Sequence, residues 1–161
     1  MIVVSDTSPL NYLVLIWHVD VLPALFDRVV TPPAVVAELL HPGSPAPVQA
    51  WASSPPKWLE VISPASTDRT LGLGAGETEA IAVAQELAAP LLLVDERKAS
   101  AVAIRLGIQA VGTLNVLALA AERGLLDLGS AIAGLRGTTF REPTSLVEEL
   151  LRRDAERRGR S

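Results

Sequence analysis

Cysteine does not occur among the 161 residues. Disulfide scaffolds, Cys-ligated zinc, iron–sulfur clusters and thiol nucleophiles are therefore excluded. Histidine occurs only as His18 and His41, so a multi-His metal site is impossible within one chain, and a Ser-His-Asp triad would have to use one of these two. Aromatic residues make up only 4%; the core must be built from Ala, Val, Leu and Ile, as in helices packed on a buried sheet rather than an aromatic-rich sandwich. No excess of positive charge exists either. The formal net charge is -4, which gives no electrostatic support for indiscriminate nucleic-acid binding but leaves room for a nucleic-acid enzyme whose acidic site is neutralised by metal. No run approaches 18 apolar residues, so no membrane span is expected. The opening MIVVSDTSPL has no basic region followed by an apolar run and a cleavage site, so no signal peptide is read and the cytoplasm is the expected compartment.

What is present is apolar material, 49% of the chain, enough for a single domain of this length. Short apolar runs at Ile2-Val3-Val4, Arg28 to Thr31, Leu59 to Ile62, Leu91 to Val94 and Gln109 to Val111 lack strict alternation, as strands buried on both faces do. Between them, helical patterns fall near residues 9–17, 20–26, 33–40, 45–53, 76–88, 97–106, 114–123, 128–135 and 143–157. This alternation predicts a parallel sheet with right-handed crossovers and helices on both faces. Residues 1–150 are expected to form one domain and 151–161 an Arg-rich tail, carrying Arg152, Arg153, Arg157, Arg158 and Arg160. A solvated helix end is the plain reading of that tail, and contact with RNA or a protein the competing one.

Four acids stand out by position. Asp6 follows the first strand and Asp95 follows LLLV, so two carboxylates fall at the carboxyl ends of two parallel strands, the edge where open α/β sheets bind ligands. Ser8 before Pro9 reads as a helix cap and first-turn pair. Glu38, flanked on a helix wheel by Val35 and Leu39, borders an apolar face. Glu77 shares a stripe with Ile81, Ala84 and Ala88, whereas Glu79 lies about 200° away near Glu86 and is expected to face water. Like charges brought together cost energy unless a cation sits between them. Without thiols and with few imidazoles, the matching cation is hard and oxygen-loving, Mg²⁺ or Mn²⁺. Such a cluster suits phosphoryl chemistry.

Other motifs weigh less. Gly72-Leu73-Gly74-Ala75-Gly76 resembles a phosphate-cradling loop, but Glu77 stands where the dinucleotide fingerprint needs glycine; a flexible helix-entry loop is expected instead. His18 and His41 read as helix-end residues. Trp51 and Trp58 read as core or interface anchors rather than base-stacking platforms.

In order, VSDTSPLNYL, VVAELL, the GE-containing helix LGLGAGETEAIAVA, LLLVDERKA and RLGIQAVGTLNVL resemble the PIN-domain proteins over roughly residues 2–125, closest to a branch related to the toxins of toxin–antitoxin pairs. The resemblance implies a three-layer α/β/α fold with a short-stranded parallel sheet. It also implies a metal-dependent ribonuclease that hydrolyses RNA phosphodiester bonds with Mg²⁺ or Mn²⁺. Asp6, Glu38, Glu77 and Asp95 match the family's acidic quartet, as catalytic and metal-binding residues. Ser8 matches a supporting polar residue, and Glu96 a second acid that adds a water-mediated contact. Asn115 stands where a small residue is expected and has no assigned role. The implied partners are RNA, a small antitoxin protein and a second copy of the chain as homodimer. Two competitors are a catalytically inactive PIN-like binding module and a metal-dependent phosphatase on a related fold.

Overall fold

The computed structural model describes residues 1–159; Arg160 of the expected tail lies outside the described residues. Five parallel strands, β1 (Ile2–Ser5), β2 (Arg28–Thr31), β3 (Leu59–Val61), β4 (Leu91–Leu93) and β5 (Gln109–Val111), lie in the order β3-β2-β1-β4-β5. They alternate with the helices α1 (Thr7–Leu15), α2 (Val21–Leu25), α3 (Pro33–Leu40), α4 (Ala46–Ser53), α5 (Ala75–Glu86), α6 (Arg97–Arg105), α7 (Thr113–Glu122), α8 (Leu128–Arg136) and α9 (Thr144–Gly159). Each strand and helix read from the sequence is present, with ends shifted by a few residues at most.

The period-two side-chain alternation of a strand separates two cores. Val3, Val29, Leu59 and Leu93 face a large cluster built with α1 to α4 and α7 to α9. Val4, Val30 and Leu92 face a smaller one built with α5 and α6. Helices thus cover both faces, giving three layers, α/β/α. Both clusters are almost wholly aliphatic, as the shortage of aromatics requires.

The sheet order positions the site. From β1 the chain crosses to β2 on one side, and β4 later takes the other side, so the carboxyl ends of β1 and β4 flank the point where the winding reverses. In open α/β sheets that reversal point is where ligands bind. Ser5 pairs in register with Leu93, and the Asp6 N–H donates to the Leu93 carbonyl at 2.9 Å, which carries the pairing one residue beyond the strands. Buried hydroxyls hold this end: Ser5 Oγ donates to the Asp6 carbonyl, and Thr31 Oγ1 to the Ser5 carbonyl, each at 2.9 Å.

α9 runs unbroken from Thr144 through the boundary expected at residue 150, with Val147, Leu150 and Asp154 buried. Its arginines are engaged along their own helix. Arg152 and Arg153 meet Glu149, Arg152 also meets Glu156, and Arg157 and Arg158 meet Asp154. No helix among the described residues is long and apolar enough to cross a membrane.

Candidate active site

Asp6 directly follows β1, in extended conformation, as the N-cap residue of α1. The helix begins at Thr7, so Ser8 and Pro9 lie inside its first turn rather than at its cap. The expected Ser8 cap is thereby corrected, because β1 ends close enough to the helix for Asp6 itself to take the turn. Asp6 does not cap with its side chain. It is 5% exposed, and its Oδ1 is buried with no hydrogen-bond partner. Burial pushes its pKa up to about 7, against an opposing hydrogen bond from the Thr7 N–H, and the charges of Glu77, Glu38 and Asp95 push it further the same way. An orphaned buried carboxylate oxygen costs on the order of 1–3 kcal/mol or more, so something must compensate it.

Asp95 reaches the same edge at the end of β4. Its Oδ1 accepts from the Thr113 N–H and its Oδ2 from Thr113 Oγ1, both at 2.8 Å. Burial raises its pKa and these two bonds pull against it. The contact ties the β4 end to the first residue of α7. Gly112 makes room, since a Cβ there would lie 3.1 Å from Asp95 Oδ1. Thr113 was not singled out in the sequence; the Gly-Thr pair opening a helix is the signal that could have found it.

Glu38 arrives from α3, beside the buried Val35 and Leu39. Thr7 Oγ1 donates a short hydrogen bond to its Oε2, and the Gly76 N–H donates to its Oε1 at 3.1 Å. One carboxylate thereby bridges the first turns of α1 and α5. A Cβ at Gly76 would fall 2.7 Å from Glu38 Oε1, so glycine is what admits the carboxylate. Thr7, within the DTS motif, is a second residue the sequence reading passed over.

Glu77 is half-buried, with Ile81 and Ala84 buried along its stripe as expected; Ala88 lies beyond the helix and is exposed. Its Oε1 accepts from the Gly74 N–H at 3.3 Å, reaching back over its own helix start. Its pKa is raised, by burial first, against the Gly74 bond, and then by the charges of Glu96 and Glu38. Glu96 caps α6, accepting from the Ala99 N–H at 2.8 Å while facing Glu77. Ser8, half-buried, lines the same groove as Asp95 and Glu96.

Glu79 corrects an expectation. It is half-buried rather than solvated, and its Oε1 accepts from the Ala34 N–H at 3.1 Å. A helix wheel treats the face away from the sheet as wet, but α3 packs there, and its first turn has unsatisfied N–H groups that a carboxylate can cap. The glycine loop is also tied rather than free: Lys98 Nζ donates to the Gly72 carbonyl at 2.8 Å. Gly72 needs its own freedom, at φ +70°.

Glu77, Glu38 and Asp95 thus lie near enough to Asp6 for their charges to raise its pKa. Among the described residues, however, no three His, Asp or Glu side chains are drawn together as a ligand set. Glu38, Glu77, Asp95 and Glu96 each lean on a backbone N–H instead. The donor set nonetheless fits a hard divalent cation: it is all carboxylate and hydroxyl oxygen, and one buried Asp6 oxygen has nothing to bond.

A family model described as a PIN domain matches residues 2–156. No curated protein and no solved structure matches the chain.

Proposed function

The chain belongs to the PIN-domain family, whose members are generally nucleases, and from that premise we propose that it is a metal-dependent endoribonuclease. The observation that supports this most is Asp6: a buried carboxylate with one oxygen unbonded, at the sheet's reversal point, facing three further acids. Asp6 and Asp95 would hold Mg²⁺ or Mn²⁺, with Glu38 and Glu77 completing the site. A bound divalent cation supplies positive charge for phosphate oxygens and lowers the pKa of water.

The chain's own residues prepare that site. Thr7 and Gly76 hold Glu38 toward it, Thr113 fixes both oxygens of Asp95, and the Gly74 N–H holds Glu77. Without a cation the clustered carboxylates would repel an RNA backbone, so cation binding precedes substrate binding. We place the enzyme in the cytoplasm, as the toxin of a toxin–antitoxin pair and as a homodimer. A strictly monomeric mass by light scattering at tens of micromolar would argue against the homodimer.

The decisive experiment is cleavage of a single-stranded RNA by the wild-type chain and by Asp6→Asn, each with and without chelator, with small phosphate esters as comparison substrates. Chelator-sensitive RNA cleavage lost in the variant is the expected result. Cleavage indifferent to both chelator and variant would refute the reading, and turnover of the esters alone would make the chain a phosphatase.

A further inference from the structure

Lys98 stands in the first turn of α6, just after Glu96, and is exposed. Its ammonium group pairs with no carboxylate among the described residues. It donates instead to a backbone carbonyl, that of Gly72, at 2.8 Å. Gly72 is turned at φ +70°, and a Cβ there would lie 3.1 Å from Lys98 Nζ, so the ammonium packs straight onto the turn. A little further on, the Gly74 N–H donates to Glu77 Oε1 at 3.3 Å. The start of α6 thus reaches Glu77 by two routes: Glu96 faces it directly, and Lys98 reaches it through Gly72 and Gly74. The rest of the connection from β3 to α5 has its own anchors. The Ala65 N–H donates to Glu86 Oε1 at 2.7 Å, Asp68 Oδ1 accepts from the Thr70 N–H at 2.9 Å, and Leu71 and Leu73 pack against the smaller core. Gly72 and Gly74 are exposed and have no side chain to pack. Glycine gives a chain its greatest conformational freedom, so the loop would loosen here first unless something held it.

We propose that Lys98 is a positioning residue: by clamping Gly72 it holds the Gly74 N–H on Glu77, and so fixes that carboxylate in the acid cluster. The role rests on the reading above, in which Glu77 completes a cation site. The charges of Glu96 and Glu38 push on Glu77, and a fixed donor is what keeps it in place against them. An ion pair would not serve. A lysine bridged to Glu77 or Glu96 would cancel the charge that a divalent cation needs, whereas a clamp on a carbonyl orders the carboxylate and leaves its charge intact. The charge of Lys98 by itself opposes a bound cation, because like charges repel. Its two influences therefore differ in sign: losing the charge alone tightens cation binding, and releasing the loop weakens it.

The test uses the full chain, first metal-free and then titrated with Mn²⁺. Amide NMR follows the Gly74 N–H, whose charge-assisted bond to a carboxylate shifts its proton downfield; Glu77→Ala marks the position without that bond. Lys98→Met keeps the length of the side chain and loses the donor, and is expected to move the Gly74 resonance most of the way to that mark. Lys98→Arg should stay near wild type, and Arg97→Met, which removes the same charge from the preceding residue, should leave the resonance unmoved. By calorimetry, Lys98→Met should bind Mn²⁺ about threefold more weakly. Lys98→Arg should bind as wild type does, and Arg97→Met no more weakly. In a Glu77→Ala background Lys98→Met should cause no further loss, since both act through one contact. A Gly74 resonance unmoved in Lys98→Met, tighter Mn²⁺ binding by that variant, or an equal loss in the Glu77→Ala background overturns the proposal. A wild type that binds no Mn²⁺ would count against the metal reading, and the Gly74 resonance would still decide the role of Lys98.

Discussion

Two aspartates in this molecule are equally hidden from water and treated in opposite ways. Asp154 on α9 is 6% exposed and meets the guanidinium groups of Arg157 and Arg158 at 2.5 and 3.1 Å. Asp6 is 5% exposed, meets no cation among the described residues, leaves one oxygen unbonded, and faces three other acids. A buried carboxylate held for stability is given a partner, because an unpaired buried charge is costly. Where the fold instead withholds the partner and adds like charge, the carboxylate keeps a free oxygen, which is what the function proposed above calls on. The same contrast runs through the neighbours of each. Glu149 and Glu156 sit in a ladder of arginines, whereas Glu38, Glu77 and Asp95 have only amide and hydroxyl donors.

Exchanging the charge at each aspartate tests this contrast with the largest expected effect. Asp6→Asn should lower RNA cleavage by about 10³-fold, the several kcal/mol a cation's charge supplies, and should raise the apo melting temperature. Asp154→Asn should do the reverse: destabilise by about 1–3 kcal/mol, since its arginine partners are partly exposed and the full buried-pair cost does not apply, while folded molecules keep their cleavage rate. Melting curves and initial rates on both variants decide it, and a stable, inactive Asp154→Asn would break the contrast.

Next in size are the neighbouring acids of α5. Glu77→Gln should lower the rate by one or more orders of magnitude. Glu79→Gln keeps an oxygen for the Ala34 N–H and should change the rate by less than about fivefold, or about 1 kcal/mol of barrier. Glu79→Ala loses the cap on α3 and should cost about 0.5–2 kcal/mol of stability. An inactive but fully stable Glu79→Gln would transfer the catalytic role from one to the other.

Gly76→Ala sharpens the point that room at the site has been kept for Glu38. Alanine suits a helix better than glycine by about 0.8–1.0 kcal/mol, and the clash is with the end of a flexible side chain. Stability should therefore hold or rise slightly, while displacement of Glu38 lowers the rate roughly tenfold, a little over 1 kcal/mol of barrier. Unchanged activity would show that Glu38 need not sit where Thr7 and Gly76 place it.

The last effect is on stability rather than on rate, and lies in pH. The Asp6 pKa is raised from its ordinary 3.8 to about 7, so the unfolded chain releases this proton more readily than the folded one. Its contribution to stability is complete below pH 3.8 and lost as pH rises through about 7. The melting temperature of wild type relative to Asp6→Asn should therefore fall across that window in metal-free buffer. Adding Mn²⁺ at pH 8 should restore the wild type and leave the variant unchanged. A flat difference across the window would mean that Asp6 is not buried as an acid at all.

Much of this arrangement is legible along the chain. The apolar runs that became β1 to β5 are buried strands whatever surrounds them, and the residue after such a run falls at the sheet's carboxyl edge. That is why Asp6 and Asp95 could be picked out. Glu38 and the inward stripe from Glu77 through Ala84 follow from helical period in the same way. Ser8 was misjudged at the cap because propensity describes a typical helix start, not one that must leave a strand within a residue.

The sequence by itself determined the alternation of strands and helices, the aliphatic composition of both cores and the fall of Asp6 and Asp95 at the carboxyl edge of the sheet. These depend on period and on neighbours within a turn or two. Tertiary structure alone decided what each acid meets: Glu79 against the start of α3, Glu38 against Gly76 and Thr7, Asp95 against Thr113, and Asp6 against no donor at its Oδ1. It also decided that Asp95 and Glu96 would share a groove with residues of α7 and of the connection between α8 and α9. The reason is that a carboxylate's energy depends on its desolvation and on donors that arrive from residues far along the chain, and neither is a property of local sequence.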